Sequence, residues 1–175
     1  MQATSEIVVL DGAGGGTETL ASAVLAGLSH RPKQLPSTGF YDRRGSQLFQ
    51  EITKTEEYYL TRCEREILQH HAADLAHAVG PGPLRLVELG VGDGHKTELL
   101  LEHFFQTGRD VRYVPIDICA EVLLELVDAL DQRYARAGLP LCGLVGDYFA
   151  SLAWLRQQAK VANLVLFLGS SIGNF

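Results

Sequence analysis

Cysteine is scarce here, with Cys63, Cys119 and Cys142 the only three, and no two of them form a CxxC pair. An odd, scattered set excludes a disulfide framework and a cysteine-based zinc ribbon, and reads as reduced thiols in a reducing compartment. Long apolar runs are also missing. No stretch approaches the roughly 20 residues that a membrane-spanning helix needs. The first residues carry no basic region, and the apolar run 7–10 is too short for a secretory signal. Positive charge is in deficit, with 15 Lys and Arg against 21 Asp and Glu and a net charge of −6, so a nucleic-acid surface has little electrostatic support. These absences predict a cytoplasmic monomer that handles a small molecule, with neither nucleic acid nor membrane as partner.

What is present is a globular composition. Hydrophobic residues make up 46% of the 175 positions and charged residues 21%, enough to bury a core and too few charges for a disordered chain. Residues 17–28 repeat Leu20, Val24 and Leu28 at helical spacing, and residues 31–39 carry Pro32, Pro36 and Gly39 and read as an irregular connection. A short helix is expected over 46–53, burying Leu48, Phe49 and Ile52. Thr61, followed three residues later by Glu64, has the form of a capping box opening a helix to about Val79. Gly80-Pro81-Gly82-Pro83 stops it.

Beyond Pro83 the pattern changes to strands alternating with helices. Strands are predicted over 84–89, 111–117, 141–145 and 164–168, and helices over 96–106, 122–135 and 148–160. Strands apolar on both faces and separated by helices predict a doubly wound parallel sheet, an α/β Rossmann-like fold. Such a sheet binds ligands beyond the carboxyl ends of its strands, near the switch in strand order. The chain ends just past the fourth predicted strand, which leads us to expect a sheet incomplete at its C-terminal side. Three segments follow: a variable leader with the first helix (1–30), a helical segment contributing to a substrate site (31–80), and an incomplete nucleotide-binding half (81–175).

Two glycine-rich turns compete for the ligand. The first, Gly12-Ala13-Gly14-Gly15-Gly16 after residues 7–11, is read as part of a flexible leader. No acidic strand end follows about 20 residues later, and no second strand closes a βαβ unit around it. The second, Gly90-Val91-Gly92-Asp93-Gly94, follows a predicted strand and precedes a helix. Glycines there let backbone turn sharply and approach a ligand, and the helix start offers free N–H groups. The next strand ends in Asp117, whose carboxylate can accept both hydroxyls of a ribose, and the third ends in Gly146-Asp147-Tyr148. A dinucleotide fingerprint, G-x-G-x-x-G, would place a third glycine where His95 stands. Glu88, two residues before the turn, suits a ligand with an ammonium group, or serves to hold the loop. The combination points to S-adenosylmethionine. His70, His71, Asp74 and His77 read as solvent-facing helix polarity rather than a metal site, and no metal is expected.

These residues resemble the histidine-specific methyltransferases, which methylate the α-amine of L-histidine to its betaine in ergothioneine biosynthesis. The most specific block is Pro32-Lys33-Gln34-Leu35-Pro36, Phe40-Tyr41-Asp42, Gly45-Ser46, Leu48-Phe49, Ile52-Thr53, Glu57-Tyr58-Tyr59, Thr61-Arg62 and Glu64. The blocks Val87-Glu88-Leu89-Gly90, Lys96-Thr97, Tyr113-Val114-Pro115-Ile116-Asp117, Gly146-Asp147 and the run from Leu166 to Asn174 match as well. The resemblance implies cofactor contacts at Gly90, Lys96, Asp117, Asp147 and Tyr148, beside Glu88 and Gly92 of the turn itself. Asp117 would hold the ribose, and Asp147 with the Tyr148 backbone the adenine. It implies substrate contacts at Tyr58 and Asn174, with Gly169 and Tyr41 lining the same pocket, and assigns no residue to acid or base catalysis. Leu60 stands where the family has Pro, and the glycine turn lacks the family's Ser and Thr, which leaves the substrate open among histidine and related amines. Two other readings stand beside this one. An NAD-dependent oxidoreductase is opposed by His95, and a noncatalytic nucleotide-binding fragment is favoured by the early end of the chain.

Overall fold

The computed structural model describes residues 5–10, 20–35, 37–158 and 160–174. Five strands form one wholly parallel sheet: β1 (Ser5–Val9), β2 (Leu84–Leu89), β3 (Val111–Asp117), β4 (Leu141–Val145) and β5 (Ala162–Leu166), in the order β1-β4-β3-β2-β5. The Rossmann-like α/β class expected from the sequence is the fold observed. β2, β3 and β4 lie where the apolar runs predict, while β5 begins and ends two residues earlier than expected.

The N-terminal leader is a correction. Residues 5–9 are a sheet strand in parallel register with β4, Ser5 opposite Leu141 and Val9 opposite Val145. Ile7 packs against one core cluster and Val8 against the other, and the strand's partner is β4, far along the chain, rather than the local βαβ neighbour whose absence argued for a leader. Ion pairing of Glu6 with Arg112 on β3 and a hydrogen bond from Ser5 to Asp131 (2.7 Å) fix this edge. The Gly12 to Gly16 turn lies outside the described residues.

Chain order places the switch in strand order at β2. From β2 the chain moves outward through β3 to β4, then returns across the sheet to lay β5 on the other side of β2. Alternation along the strands divides the core into two faces. Leu84, Leu86, Val111, Tyr113 and Leu141 pack under α3 (Leu60–Ala78), α4 (His95–Gln106) and α5 (Ala120–Tyr134), through Leu68, Leu100, Phe104, Leu123 and Leu130. Val87, Leu89, Val114, Ile116 and Leu144 pack on the opposite face with Leu155 of α6 (Tyr148–Arg156). All six residues of β2 are buried, as a central parallel strand requires.

The N-terminal helices differ from expectation in two ways. In α2 (Arg43–Thr53), capped by the Asp42 side chain on the Gly45 N–H (2.6 Å), Leu48, Phe49 and Ile52 are 48%, 43% and 48% exposed rather than buried. The predicted capping box does not form either. The N-cap of α3 is Tyr59, with no side-chain cap bond, and the Glu64 carboxylate is used elsewhere. The first helix, α1, spans Leu20–Ser29 and buries none of its residues.

One ionisable residue lies inside the core. Glu88 of β2 is 1% exposed and accepts the phenolic hydrogen of Tyr113 on β3. Burial pushes its carboxyl up to about 7, and the Tyr113 bond and the Lys96 charge pull it back only in part. Below the ordinary carboxyl range, folded and unfolded chains both carry this proton. Between there and about 7 the unfolded chain releases it while the folded chain keeps it, so stability falls as pH rises. The shift from 4.5 corresponds to about 3 kcal/mol. Glu88→Gln, which fixes the neutral form, is expected to stabilise the protein by up to that amount at about pH 8 and to change little at about pH 4.5. Denaturant titrations at both pH values check this, and an equal effect at the two would refute the buried-proton account.

Candidate cofactor and substrate site

The carboxyl ends of β2, β3 and β4 are tied into one rim by backbone hydrogen bonds. The Gly90 N–H donates to Ile116 O (2.9 Å) and the Gly146 N–H to Asp117 O (3.0 Å). At the β2 end the chain turns through a left-handed Gly90, φ 75°. A Cβ there would stand 2.5 Å from the Tyr148 hydroxyl, so only glycine admits both the turn and the tyrosine above it. Gly94, the left-handed N-cap of α4, is equally constrained, since its Cβ would meet Leu126 Cδ1 at 2.5 Å.

Asp117 closes β3 at the same rim. One of its oxygens accepts the Cys119 N–H at 2.9 Å, and the amides of Val91, Ile118 and Gly92 also favour its charge. Burial outweighs them and raises its carboxyl above the ordinary range. The side chain therefore pins the glycine turn and stays partly exposed at the rim. Asp147, beyond β4, caps α6 by accepting the Ala150 N–H (2.8 Å). Tyr148 reaches over Gly90 beside Ser171 and meets Phe167 edge to face at 5.5 Å; burial, then the Asp117 charge, pushes its hydroxyl up to about 12.

The other half of the site comes from the N-terminal helices and the turn after β5. Tyr58 packs edge to face on Phe49 of α2 (5.6 Å), which accounts for that half-exposed aromatic. The loop before Tyr58 is held by Arg62, which donates to the carbonyls of Thr55 (3.0 Å) and Glu56 (2.7 Å). The Tyr58 hydroxyl is raised by burial, then by the charge of Glu64 and by Tyr41. Tyr41 also acts on Tyr148, which places both tyrosines of the expected substrate pocket within electrostatic reach of the cofactor rim. Glu64 then joins the two halves. One oxygen accepts from Lys96 Nζ and the other from the Gly169 N–H, each at 2.7 Å.

Among the expected residues, the structure brings Gly90, Lys96, Tyr148 and Gly169 together directly, with Asp117 and Asp147 along the rim. Gly92 lies in the turn that Asp117 pins. Glu88 sits beneath it, and its burial suits holding the turn rather than meeting a ligand. Asn174 belongs to a 3-10 turn, Ser171–Asn174, while its side chain lies outside the described residues. Sequence reasoning read Glu64 as part of a capping box and gave neither it nor Ser171 a place in the site. Glu64 was masked by its place in a plausible capping box, and Ser171 sits in a run whose only signal was the resemblance. Among the described residues no cluster of His, Cys, Asp and Glu could hold a metal ion, and no helix is long and apolar enough to cross a membrane. A cavity of about 610 Å³ opens on the outer side of the turn, lined by Lys54, Arg62, Arg65, Asp93 and His95 among others, and includes none of the expected ligands.

The donor set fits S-adenosylmethionine. It offers two carboxylates at neighbouring strand ends, an ammonium at the start of α4, and a turn with glycine at positions 90, 92 and 94 where backbone must come close.

Comparison with known proteins agrees. The chain is 39% identical over 159 residues to histidine N-alpha-methyltransferase of Mycobacterium tuberculosis, covering 91% of this chain and 48% of that protein. It is 39% identical over 146 residues to ergothioneine biosynthesis protein 1 of Neurospora crassa, covering 82% and 16%. It is 30% identical over 164 residues to 4-dimethylallyltryptophan N-methyltransferase of Claviceps purpurea, covering 90% and 46%. The chain thus spans about half the length of the bacterial and ergot relatives. Residues 20–175 match the family described as histidine-specific methyltransferase, SAM-dependent, and the chain belongs to that family.

Proposed function

We propose that the protein transfers methyl groups from S-adenosylmethionine to the α-amine of L-histidine, giving the trimethylated betaine. The observation that carries this reading is the convergence at one rim of Gly90 beneath Tyr148 with the Lys96-Glu64-Gly169 bridge, which joins cofactor side to substrate side. Two relatives named for histidine methylation and ergothioneine biosynthesis, each 39% identical, support the choice of substrate. A tryptophan-derived amine is the second reading, favoured by the Claviceps purpurea relative at 30% identity.

When bound, the cofactor supplies a methyl carbon on a sulfonium, open to in-line attack by a neutral amine. Such a transfer needs placement more than proton handling, and placement is what the residues of this site offer. Asp117 would accept from the ribose hydroxyls, and Asp147 with the Tyr148 backbone would meet the adenine. Lys96 would face the carboxylate of the cofactor's amino-acid end. Tyr58, whose hydroxyl stays protonated because burial raises it, would donate to the substrate. Tyr41, Gly169 and Asn174 would complete that pocket, leaving the amine its lone pair.

Isothermal titration of the full natural polypeptide with S-adenosylhomocysteine is expected to give saturable heat. Asp117→Ala should weaken that binding about 10- to 100-fold, the worth of a charge-assisted hydrogen-bond pair. Affinity unchanged by this substitution would remove Asp117 from the cofactor site. Mass spectrometry of histidine incubated with S-adenosylmethionine and the protein should show products gaining successive methyl groups. Unchanged histidine alongside intact cofactor binding would shift the substrate to another amine.

A further inference from the structure

We propose that Glu64 is a positioning residue that sets the Lys96 ammonium and the Gly169 N–H in a single act, coupling the cofactor side of the site to the substrate side. The inference rests on the S-adenosylmethionine reading above. Glu64 lies one turn into α3, and its two partners come from elements far from it in sequence, the start of α4 and the turn after β5. Both oxygens are committed, one to each partner at 2.7 Å, and the Glu64 and Lys96 side chains are only 21% and 16% exposed. A half-buried carboxylate is costly unless its lone pairs are met, and here both oxygens are.

The arrangement has a direct mechanical consequence. Lysine carries its charge on a flexible four-carbon stem, and an unanchored ammonium samples many positions. With Glu64 in place, Lys96 Nζ stands 3.6 Å from where a Cβ of Gly169 would be. The same carboxylate holds the Gly169 backbone, and with it the turn whose Ser171 lies beside Tyr148 over Gly90. Among the described residues Glu64 is the carboxylate paired with Lys96. Glu64 touches neither reacting atom in this account; it acts through Lys96 and Gly169.

Glutamine at position 64 separates the two bonds. Its oxygen still accepts from Gly169, but its amide hydrogens oppose the lysine ammonium, which must then move. In the full natural polypeptide, Glu64→Gln is expected to weaken S-adenosylhomocysteine binding about tenfold, in line with loss of one charge-assisted bond. In a Lys96→Met background the same substitution should cost less than about twofold, because residues acting as a unit are not additive. In turnover the loss should fall on KM for S-adenosylmethionine rather than on kcat, and the thermal midpoint of the ligand-free protein should hardly move. Glu64→Asp keeps the charge but shortens the reach, and serves as the second variant in the same cycle with the same expected loss. An equal loss in both backgrounds, or wild-type affinity in both variants, overturns the proposal. Absence of any heat with the wild-type protein instead overturns the cofactor reading, and this inference with it.

Discussion

At position 90 the backbone is left-handed and a Cβ would sit 2.5 Å from the Tyr148 hydroxyl, so any residue but glycine would strain the turn and push the tyrosine away. That missing atom sets the geometry of the site. It lets β2 turn directly into α4, brings Tyr148 down onto the turn, and so brings Ser171 and the segment after β5 beside Lys96. Asp117 reinforces the same turn from the neighbouring strand by drawing its amides inward. The site is therefore built by backbone proximity, with side chains bridging what the backbone has already brought together.

The sheet explains why these groups share one rim. In a parallel sheet every strand ends on the same side, and at the switch point the following loops diverge and leave a crevice. β2 is that point here, with β3 and β5 to either side. The covering helices supply a floor on one side: α3 and α4 pack through Leu68, Leu100 and Phe104, which fixes Glu64 and Lys96 relative to each other before their charges meet. Hydrophobic packing thus offsets the entropy of holding two long charged side chains in one geometry, a cost that usually cancels an exposed ion pair.

The strands of the central sheet were legible because burial on both faces writes continuous apolar runs, and turn residues bound them sharply. Gly90, Asp117 and Asp147 were legible for the same reason, since each falls where a run ends. β1 was not, because its apolar run 7–10 precedes a run of glycines with no local βαβ unit around it, and its partner β4 lies far along the chain. Glu64 was misread for a different reason: local pattern assigned it to the nearest backbone, three residues away, whereas tertiary packing offered it an ammonium and an amide from other elements. Propensity rules describe what a segment does alone, and Glu64 is not used locally. The exposure of Leu48 and Ile52 in α2 shows the converse, an amphipathic pattern without a covering partner among the described residues.

Glu88 and Glu64 are two acids close to one site with different surroundings. Glu88 lies in the core with a phenol for company, and its carboxyl rises toward neutrality because a hydroxyl cannot replace the hydration of a charge. Glu64, less buried, accepts from an ammonium and from a peptide N–H, one at each oxygen. The place of Glu88 in the core of β2, just before Gly90, suits a support beneath the glycine turn. Glu64 suits a clamp, because its two oxygens serve as acceptors to partners approaching from different elements. The site therefore uses the same functional group twice, and the donors that surround each one decide its part: a phenol in the core for Glu88, an ammonium and an amide from other elements for Glu64.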